Sequence, residues 1–325
     1  MPYGCSGRCL KNIDTNACLG NGEFFVAEAD ESDGSFLYYR PKYSIITNID
    51  YEHLDYYKDF ENEVSTFTEF INNTRDNGCV FASSDDINLK GIFKNYKNKY
   101  IFFGLKEGAH IYPKNIKLEN LSAQFDCFYK NKFVDRFYLS LGGEHNISNA
   151  LSVIALGMEM GINLEFIKEA LKHYKGAQRR LEIKFDANGY LLLDDYAHHP
   201  TEIRATLSAL KSLKFNRLIA VFQPHRYTRT KLLADEFAKS FDSADYIIVT
   251  DIYPAGEQPI EGADAGIICA KIKERLPDKH VYFLPKEEIP AHILKLIKPQ
   301  DLLITLGAGD IVKVCDEVVE RIKSR

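Results

Sequence analysis

Leu191-Leu192-Leu193-Asp194-Asp195-Tyr196-Ala197-His198-His199-Pro200-Thr201-Glu202 is the stretch on which the fold turns. Three consecutive leucines read as a strand buried on both faces. A polar run ends it, and a helix is predicted over 201–214. Toward the C-terminus strand and helix then alternate: 218–222 with 229–241, 246–250 with 263–275, 281–284 with 289–297, and 302–306 with 311–322. That alternation predicts a doubly wound α/β domain of Rossmann-like type. Upstream, Arg179-Arg180-Leu181-Glu182 starts a hairpin whose turn is Asn188-Gly189. Lys175-Gly176-Ala177-Gln178 reads as a domain junction, which gives a central domain at 1–177 and a C-terminal domain at 178–325. Three further polar motifs fall at strand ends: Gln223 to Thr230, Asp251 to Glu257, and Gly307-Ala308-Gly309-Asp310. Ligands bind at the carboxyl edge of such sheets, so four polar loops on one edge favour a site over unrelated turns.

The chain has 325 residues, enough for two domains. Apolar residues make up 45% and charged residues 27%, the balance of a globular protein. A net charge of −5 offers nothing to bulk nucleic acid. No apolar run approaches the roughly 20 residues of a membrane span, and the first nine residues lack a signal peptide's apolar core. The expectation is a cytoplasmic protein with no nucleic-acid and no membrane partner. Of the seven cysteines, Cys5, Cys9 and Cys18 cluster. No second pair or His pair completes a zinc site, so free thiols in a reducing compartment are expected.

In the first half, residues 1–22 carry Gly4, Gly7, Gly20 and Gly22 and read as irregular. Val64, Phe67, Phe70 and Ile71 fall at helical spacing and predict an amphipathic helix over 61–72. Strands are read at 78–82 and 100–104, with a short helix over 87–93 between them. Alternation without helix signals from 110 to 141 predicts antiparallel strands at a sheet edge. Gly142-Gly143-Glu144-His145-Asn146-Ile147-Ser148-Asn149-Ala150 opens a strong helix that Gly161 ends, and a second helix spans 164–174. Asn146 and Asn149, three apart, share a helix face. Their amides suit an adenine edge or a polar network, and helix capping by Asn146 is the alternative.

Chemistry concentrates in Glu28-Ala29-Asp30-Glu31-Ser32-Asp33-Gly34-Ser35-Phe36 and Asn48-Ile49-Asp50-Tyr51-Glu52-His53-Leu54-Asp55. Each follows an apolar run with strand character, Phe24-Phe25-Val26 and Ile45-Ile46. Glu28 and His53 are therefore expected at the carboxyl ends of two strands. A carboxylate and an imidazole converging there can hold a divalent cation, and a cation there suggests nucleotide phosphate. A solvated acidic loop with His53 capping a helix is the plainer reading.

These two segments resemble the Mur ligases, and His145-Asn146-x-x-Asn149-Ala150 fits the same pattern. Asp33-Gly34-Ser35-Phe36 and the run Phe222 to Thr230 look like the branch that joins L-alanine to UDP-N-acetylmuramate. The resemblance covers essentially the whole chain. It implies an incomplete central ATPase domain with a mostly parallel sheet, then a Rossmann-like domain for substrate and amino acid. The implied activity is ATP-dependent amide ligation through an acyl phosphate, in peptidoglycan precursor synthesis, with ATP and Mg²⁺. Glu28 and His53 match the family's magnesium ligands and, with Arg180, its catalytic set. Asn48, Asn146, Asn149 and Arg180 match residues around ATP, and Asp195 one near the ribose. Arg180 is always charged and forked, which suits phosphate. Tyr196, His198, His225, Arg226 and Arg229 match residues facing the muramate and the alanine, and Ala308 a wall of the alanine pocket. A salt-bridge pair at a helix start is the alternative for Arg226 and Arg229, and His199 reads as structural.

The family's phosphate loop, Gly-x-x-Gly-Lys-Thr-Thr in form, is not found, since no Gly-Lys dipeptide occurs in the 325 residues. The N-terminal domain that holds the uridine diphosphate is not found either. That loop supplies backbone amides and a lysine to the β and γ phosphates. The expectation is a ligase sequence without its front part, weak or inactive alone, to which a separate chain could supply the remainder. A non-catalytic protein that keeps a nucleotide-sugar cleft is the other reading. Open sheet edges are expected to lower stability.

Overall fold

The computed structural model describes residues 3–324, the side chains of residues 3–8, 54 and 55 excepted. Two compact units, residues 1–176 and 177–325, make up the chain.

In the first unit, β1 (Tyr3–Leu10), β2 (Thr15–Cys18) and β3 (Phe25–Ala27) form a three-stranded sheet in the order β2-β1-β3. This corrects the irregular reading of residues 1–22. Glycine, serine and cysteine carry little strand signal, and backbone pairing makes this ladder instead. A six-stranded sheet follows in chain order: β4 (Tyr43–Ile46), β5 (Cys79–Ser83), β6 (Tyr100–Phe103), β7 (Ile111–Glu119), β8 (Ser122–Tyr129) and β9 (Lys132–Leu139). Strands β4 to β7 run parallel, and β7 to β9 form the antiparallel edge read from the alternation. The strands leading into the Glu28 and His53 segments, β3 and β4, lie in different sheets.

Strand β5 explains why both faces are covered. Cys79 and Phe81 point into one core with Phe103, Phe125, Ile147 and Leu151. Val80 and Ala82 point into another with Phe36, Phe70, Ile71 and Leu89. This is the period of two of a strand buried on both sides. The helix Phe60–Asn72 starts where Asp59 accepts from the Asn62 amide at 2.8 Å, an N-cap.

In the second unit, β10 (Glu182–Ala187) pairs antiparallel with β11 (Tyr190–Asp195). Asn188 (φ 55°) and Gly189 (φ 79°) make the turn between them, as two left-handed residues should. With β12 (Leu218–Phe222), β13 (Tyr246–Val249), β14 (His280–Phe283) and β15 (Leu302–Leu306), the sheet order is β10-β11-β15-β12-β13-β14. Strands β11 to β15 are parallel, so their carboxyl ends share one edge. Leu192, Ile219, Val221, Ile248 and Leu303 pack one face against Ile289, Ile293, Val314 and Val318. Two helices differ from the sequence reading. The one expected at 201–214 is Pro200–Leu210. The one expected at 229–241 breaks at Leu233 (φ −108°, ψ 17°) into Tyr227–Leu232 and Ala234–Ala238, and Phe237 and Phe241 both pack on Phe222. Among the described residues no helix is long and apolar enough to cross a membrane.

Candidate active site

The loops after β11, β12, β13 and β15 interlock at the carboxyl edge of the second unit. Asp195 is 2% exposed. Its Oδ1 accepts from the Ala197 amide at 2.8 Å and its Oδ2 from the Leu181 amide at 2.7 Å. Burial raises its pKa against the opposing pull of Arg180. Asp195 thus forms the turn that presents Tyr196 and His198. The Glu202 carboxylate accepts from the amides of His198 (3.0 Å) and His199 (3.2 Å). His199 Nδ1 accepts from the Thr201 amide at 3.4 Å, which completes a capping box and makes His199 structural. Arg180 donates to Glu202 at 3.0 Å, and His198 Nδ1 lies 3.3 Å from the same carboxylate. Burial pushes Glu202 up, but His198, Arg180 and the amides outweigh it and hold the carboxyl at about 2.

After β12, Arg226 takes a left-handed backbone (φ 69°) and its amide donates to the Tyr253 carbonyl at 2.9 Å. A non-glycine residue costs of order 1–2 kcal/mol there. Thr228 donates its hydroxyl (2.6 Å) and its amide (3.1 Å) to Glu257, which fixes this loop to the one after β13. Arg229 is nearly buried and donates to the Nδ1 (3.3 Å) and carbonyl (3.4 Å) of His225. A guanidinium has only donors, so His225 Nδ1 accepts and its proton sits on Nε2. The His225 ring stacks on Tyr253 at 5.6 Å and meets His198 at 5.4 Å. Burial, then the charges of His198 and Arg229, push His225 down to about 3, so it is neutral at physiological pH.

Behind these rings, Gly307 adopts φ +149°, and an added Cβ would stand 2.8 Å from the Gln223 carbonyl oxygen. Gly309 packs as tightly against Tyr253. The Gln223 amide is locked on both ends, accepting from the Ile311 amide (3.2 Å) and donating to Asp310 (3.1 Å). Gln223, Tyr253, Lys286 and Asp310 line a cavity of about 310 Å³. Lys286, 2.7 Å from Asp310, is a contributor that the sequence reading missed.

In the first unit, Asp30 accepts from the Ser32 amide and Asp33 from the Ser35 amide, each at 2.9 Å. These side-chain turns, with Gly34 at φ +72°, drive Phe36 onto Phe67 and Phe70. Asp33-Gly34-Ser35-Phe36 is therefore a structural turn. Glu28 directly follows β3 and is exposed. Burial, with the Glu28 charge, raises the pKa of Tyr174. His53 (φ 52°) has its Nε2 3.5 Å from Glu31 Oε1. Glu63 is buried and accepts from the Glu52 amide at 3.4 Å. Burial pushes Glu63 up to about 7, against the pull of that amide and of His53. Neither Glu31 nor Glu63 was singled out from the sequence. Glu63 had a readable signal, since it lies four residues before Phe67 on the apolar stripe.

Among the described residues no three His, Cys, Asp or Glu side chains are grouped to hold a metal ion. Mg²⁺ binds through one or two carboxylates plus waters and phosphates, not through an all-protein cage. The exposed carboxylate of Glu28 suits that small protein share. The imidazole of His53 is the less usual donor. Asn48 is exposed and accepts from Thr47 at 3.0 Å. Asn146 donates to the Gly142 carbonyl at 2.8 Å, which ties down the helix start, while Asn149 one turn on is exposed.

Comparison with known proteins agrees with this architecture. Residues 10–157 match the Mur ligase middle domain, and residues 179–309 match the Mur ligase, glutamate ligase domain. The UDP-N-acetylmuramate–L-alanine ligase of Geotalea daltonii is 42% identical over 317 residues, 98% of this chain and 69% of that protein. The crystal structure of the UDP-N-acetylmuramate–alanine ligase MurC of Thermotoga maritima superposes with a TM-score of 0.80 at 28% identity, over 99% of this chain and 69% of its own. The MurF ligase of Thermotoga maritima in complex with ADP gives 0.77 at 18% identity, over 100% of this chain and 75% of its own, a likeness of fold. Two consecutive domain matches and 42% identity across nearly the whole chain lead to one conclusion: this chain belongs to the Mur ligase family.

Proposed function

We propose that the chain carries the ATP-dependent joining of L-alanine to UDP-N-acetylmuramate, a step of peptidoglycan precursor synthesis in the cytoplasm. The observation that carries this reading is the packing of His225 against Arg229, His198 and Tyr253 at the sheet edge, in a chain whose relatives bear that ligase's name. The muramate carboxylate attacks the γ-phosphorus of ATP, giving an acyl phosphate and ADP. The amine of alanine then attacks the acyl carbon, and inorganic phosphate leaves. Arg226 and Arg229 serve the anionic groups of muramate and alanine. His225 offers an Nε2–H donor without adding a competing charge. Tyr196 and His198 face the same substrates, and Ala308 walls the alanine side chain. Arg180, oriented by Glu202, serves the phosphates of ATP. Asn48, Asn146 and Asn149 serve the base, and Asp195 shapes the turn near the ribose. Glu28 and His53 would hold Mg²⁺, which when bound neutralises developing phosphate charge.

The 325 residues contain no Gly-Lys phosphate cradle. On these residues alone phosphoryl transfer is therefore expected to be slow, since the cradle and the uridine-binding part lie outside them. The same observation favours a second reading, a non-catalytic nucleotide-sugar binder. Calorimetry with MgATP, followed by phosphate release with L-alanine and UDP-N-acetylmuramate, separates the two. Binding that His53→Ala weakens about tenfold or more, with turnover restored when the missing part is added, supports the ligase. Binding without turnover after that addition supports the second reading. No MgATP binding at all refutes the ligase reading, and no binding of UDP-N-acetylmuramate refutes the second.

A further inference from the structure

Arg179 and Arg180 are neighbours in sequence and do different work. Arg179 donates its Nε to Asp194 at 2.7 Å, its Nη1 to the Gly309 carbonyl at 3.0 Å, and its Nη2 to the Gly307 carbonyl at 2.7 Å. All three guanidinium nitrogens are thus committed to fixed acceptors of the protein. Asp194 is fully buried, and its other oxygen accepts from Thr305 at 2.6 Å. The guanidinium also covers the Tyr196 ring, 5.2 Å from its centroid. The Arg179 backbone is left-handed (φ 56°), with its carbonyl accepting from the Tyr196 amide at 2.7 Å and its amide donating to Glu182 at 2.7 Å. Arg180, by contrast, has 44% of its side chain exposed and turns toward Glu202.

We propose that Arg179 is the positioning residue that fixes the turn Gly307-Ala308-Gly309, and with it the pocket wall that admits a small amino acid and excludes a larger one. This rests on the alanine-joining reading above. Ala308 sits between the two clamped carbonyls. Gln223 closes off the turn from the far side, where even a Cβ on Gly307 has no room. A wall held on both sides cannot retreat before an extra methylene. Lysine would keep the charge facing Asp194, but a single ammonium cannot replace a fork that serves three acceptors.

The test uses the whole chain. Amide exchange is followed at residues 307–311, and L-alanine, L-2-aminobutyrate and MgATP are titrated by NMR. Arg179→Gln and Arg179→Lys should both speed exchange of the turn by about tenfold or more. Both should shift the alanine-to-aminobutyrate affinity ratio by about tenfold toward the larger ligand, with MgATP affinity unchanged. Arg180→Gln should leave turn exchange as it was and weaken MgATP. Wild-type exchange and selectivity in Arg179→Lys would overturn the proposal, because charge on Asp194 would then suffice. Equal loosening by Arg180→Gln would also overturn it. A loosened turn in a protein that binds no alanine keeps the clamp but removes the pocket assignment and the proposed substrate. Should Arg179→Gln fail to fold, the lysine variant alone decides.

Discussion

Replacing Glu202 by Gln removes a charge but little shape, which makes it a clean probe of the elbow that carries Tyr196 and His198. The glutamine carbonyl can still accept from the His198 and His199 amides. Lost is the ionic part of the contacts with Arg180 at 3.0 Å and His198 at 3.3 Å. A carboxyl held at about 2 in place of its ordinary 4.5 corresponds to about 3 kcal/mol, at about 1.4 kcal/mol per tenfold. The side chain is 29% exposed, and solvent screening lowers the expectation to about 2 kcal/mol. The sign follows from linkage. A depressed carboxyl stabilises the fold above its unfolded value near 4.5 and loses that contribution as pH falls toward 2.

Glu202→Gln should therefore lower the melting temperature of the 177–325 unit by about 4–8 °C at pH 7, at about 2–4 °C per kcal/mol. The gap between wild type and variant should be flat above about pH 5 and close progressively below it. Calorimetric scans of both proteins from pH 3 to 7 measure it. A gap that stays constant with pH would refute the ionic account and leave a purely steric one.

Arg217 donates to Asp301, whose carboxylate is 1% exposed, at 2.9 Å. Arg217→Met strands that charge and should cost about 3–5 kcal/mol in urea unfolding, whereas adding Asp301→Leu should recover most of it. His225, held near 3, should show no titration of its ring between pH 4.5 and 8 in NMR, and a midpoint near 6.5 would remove the neutral donor from the proposed chemistry. Gly34→Ala places a Cβ against the Tyr56 hydroxyl at φ +72°. It should destabilise the first unit by at least about 1–2 kcal/mol, read as a lower thermal midpoint.

What the sequence made legible is what side-chain chemistry alone decides. Leu302 to Leu306 is apolar at almost every position because the strand is buried on both faces, and Asn188-Gly189 announces its turn through two left-handed residues. The polar loops could be placed on one edge because parallel strands put their carboxyl ends together. The limit is reached where backbone pairing or tertiary burial assigns the role. Strand β1 is rich in glycine, serine and cysteine, β2 is only Thr-Asn-Ala-Cys, and neither gives a periodic signal. Asp30 and Asp33 lie in an acidic run whose local role the residue types leave open, and both close turns on their own neighbours' amides, as an acidic run can. The tandem arginines make the sharper case. No property of the residue type separates Arg179 from Arg180. The left-handed turn at Arg179 and Leu181 (φ 42°) aims one fork inward at Asp194 and the glycine carbonyls, and the next outward at Glu202. A strained backbone thus decides which of two identical side chains turns inward and which outward, and its strain is offset by the buried hydrogen bonds that the inward arginine makes.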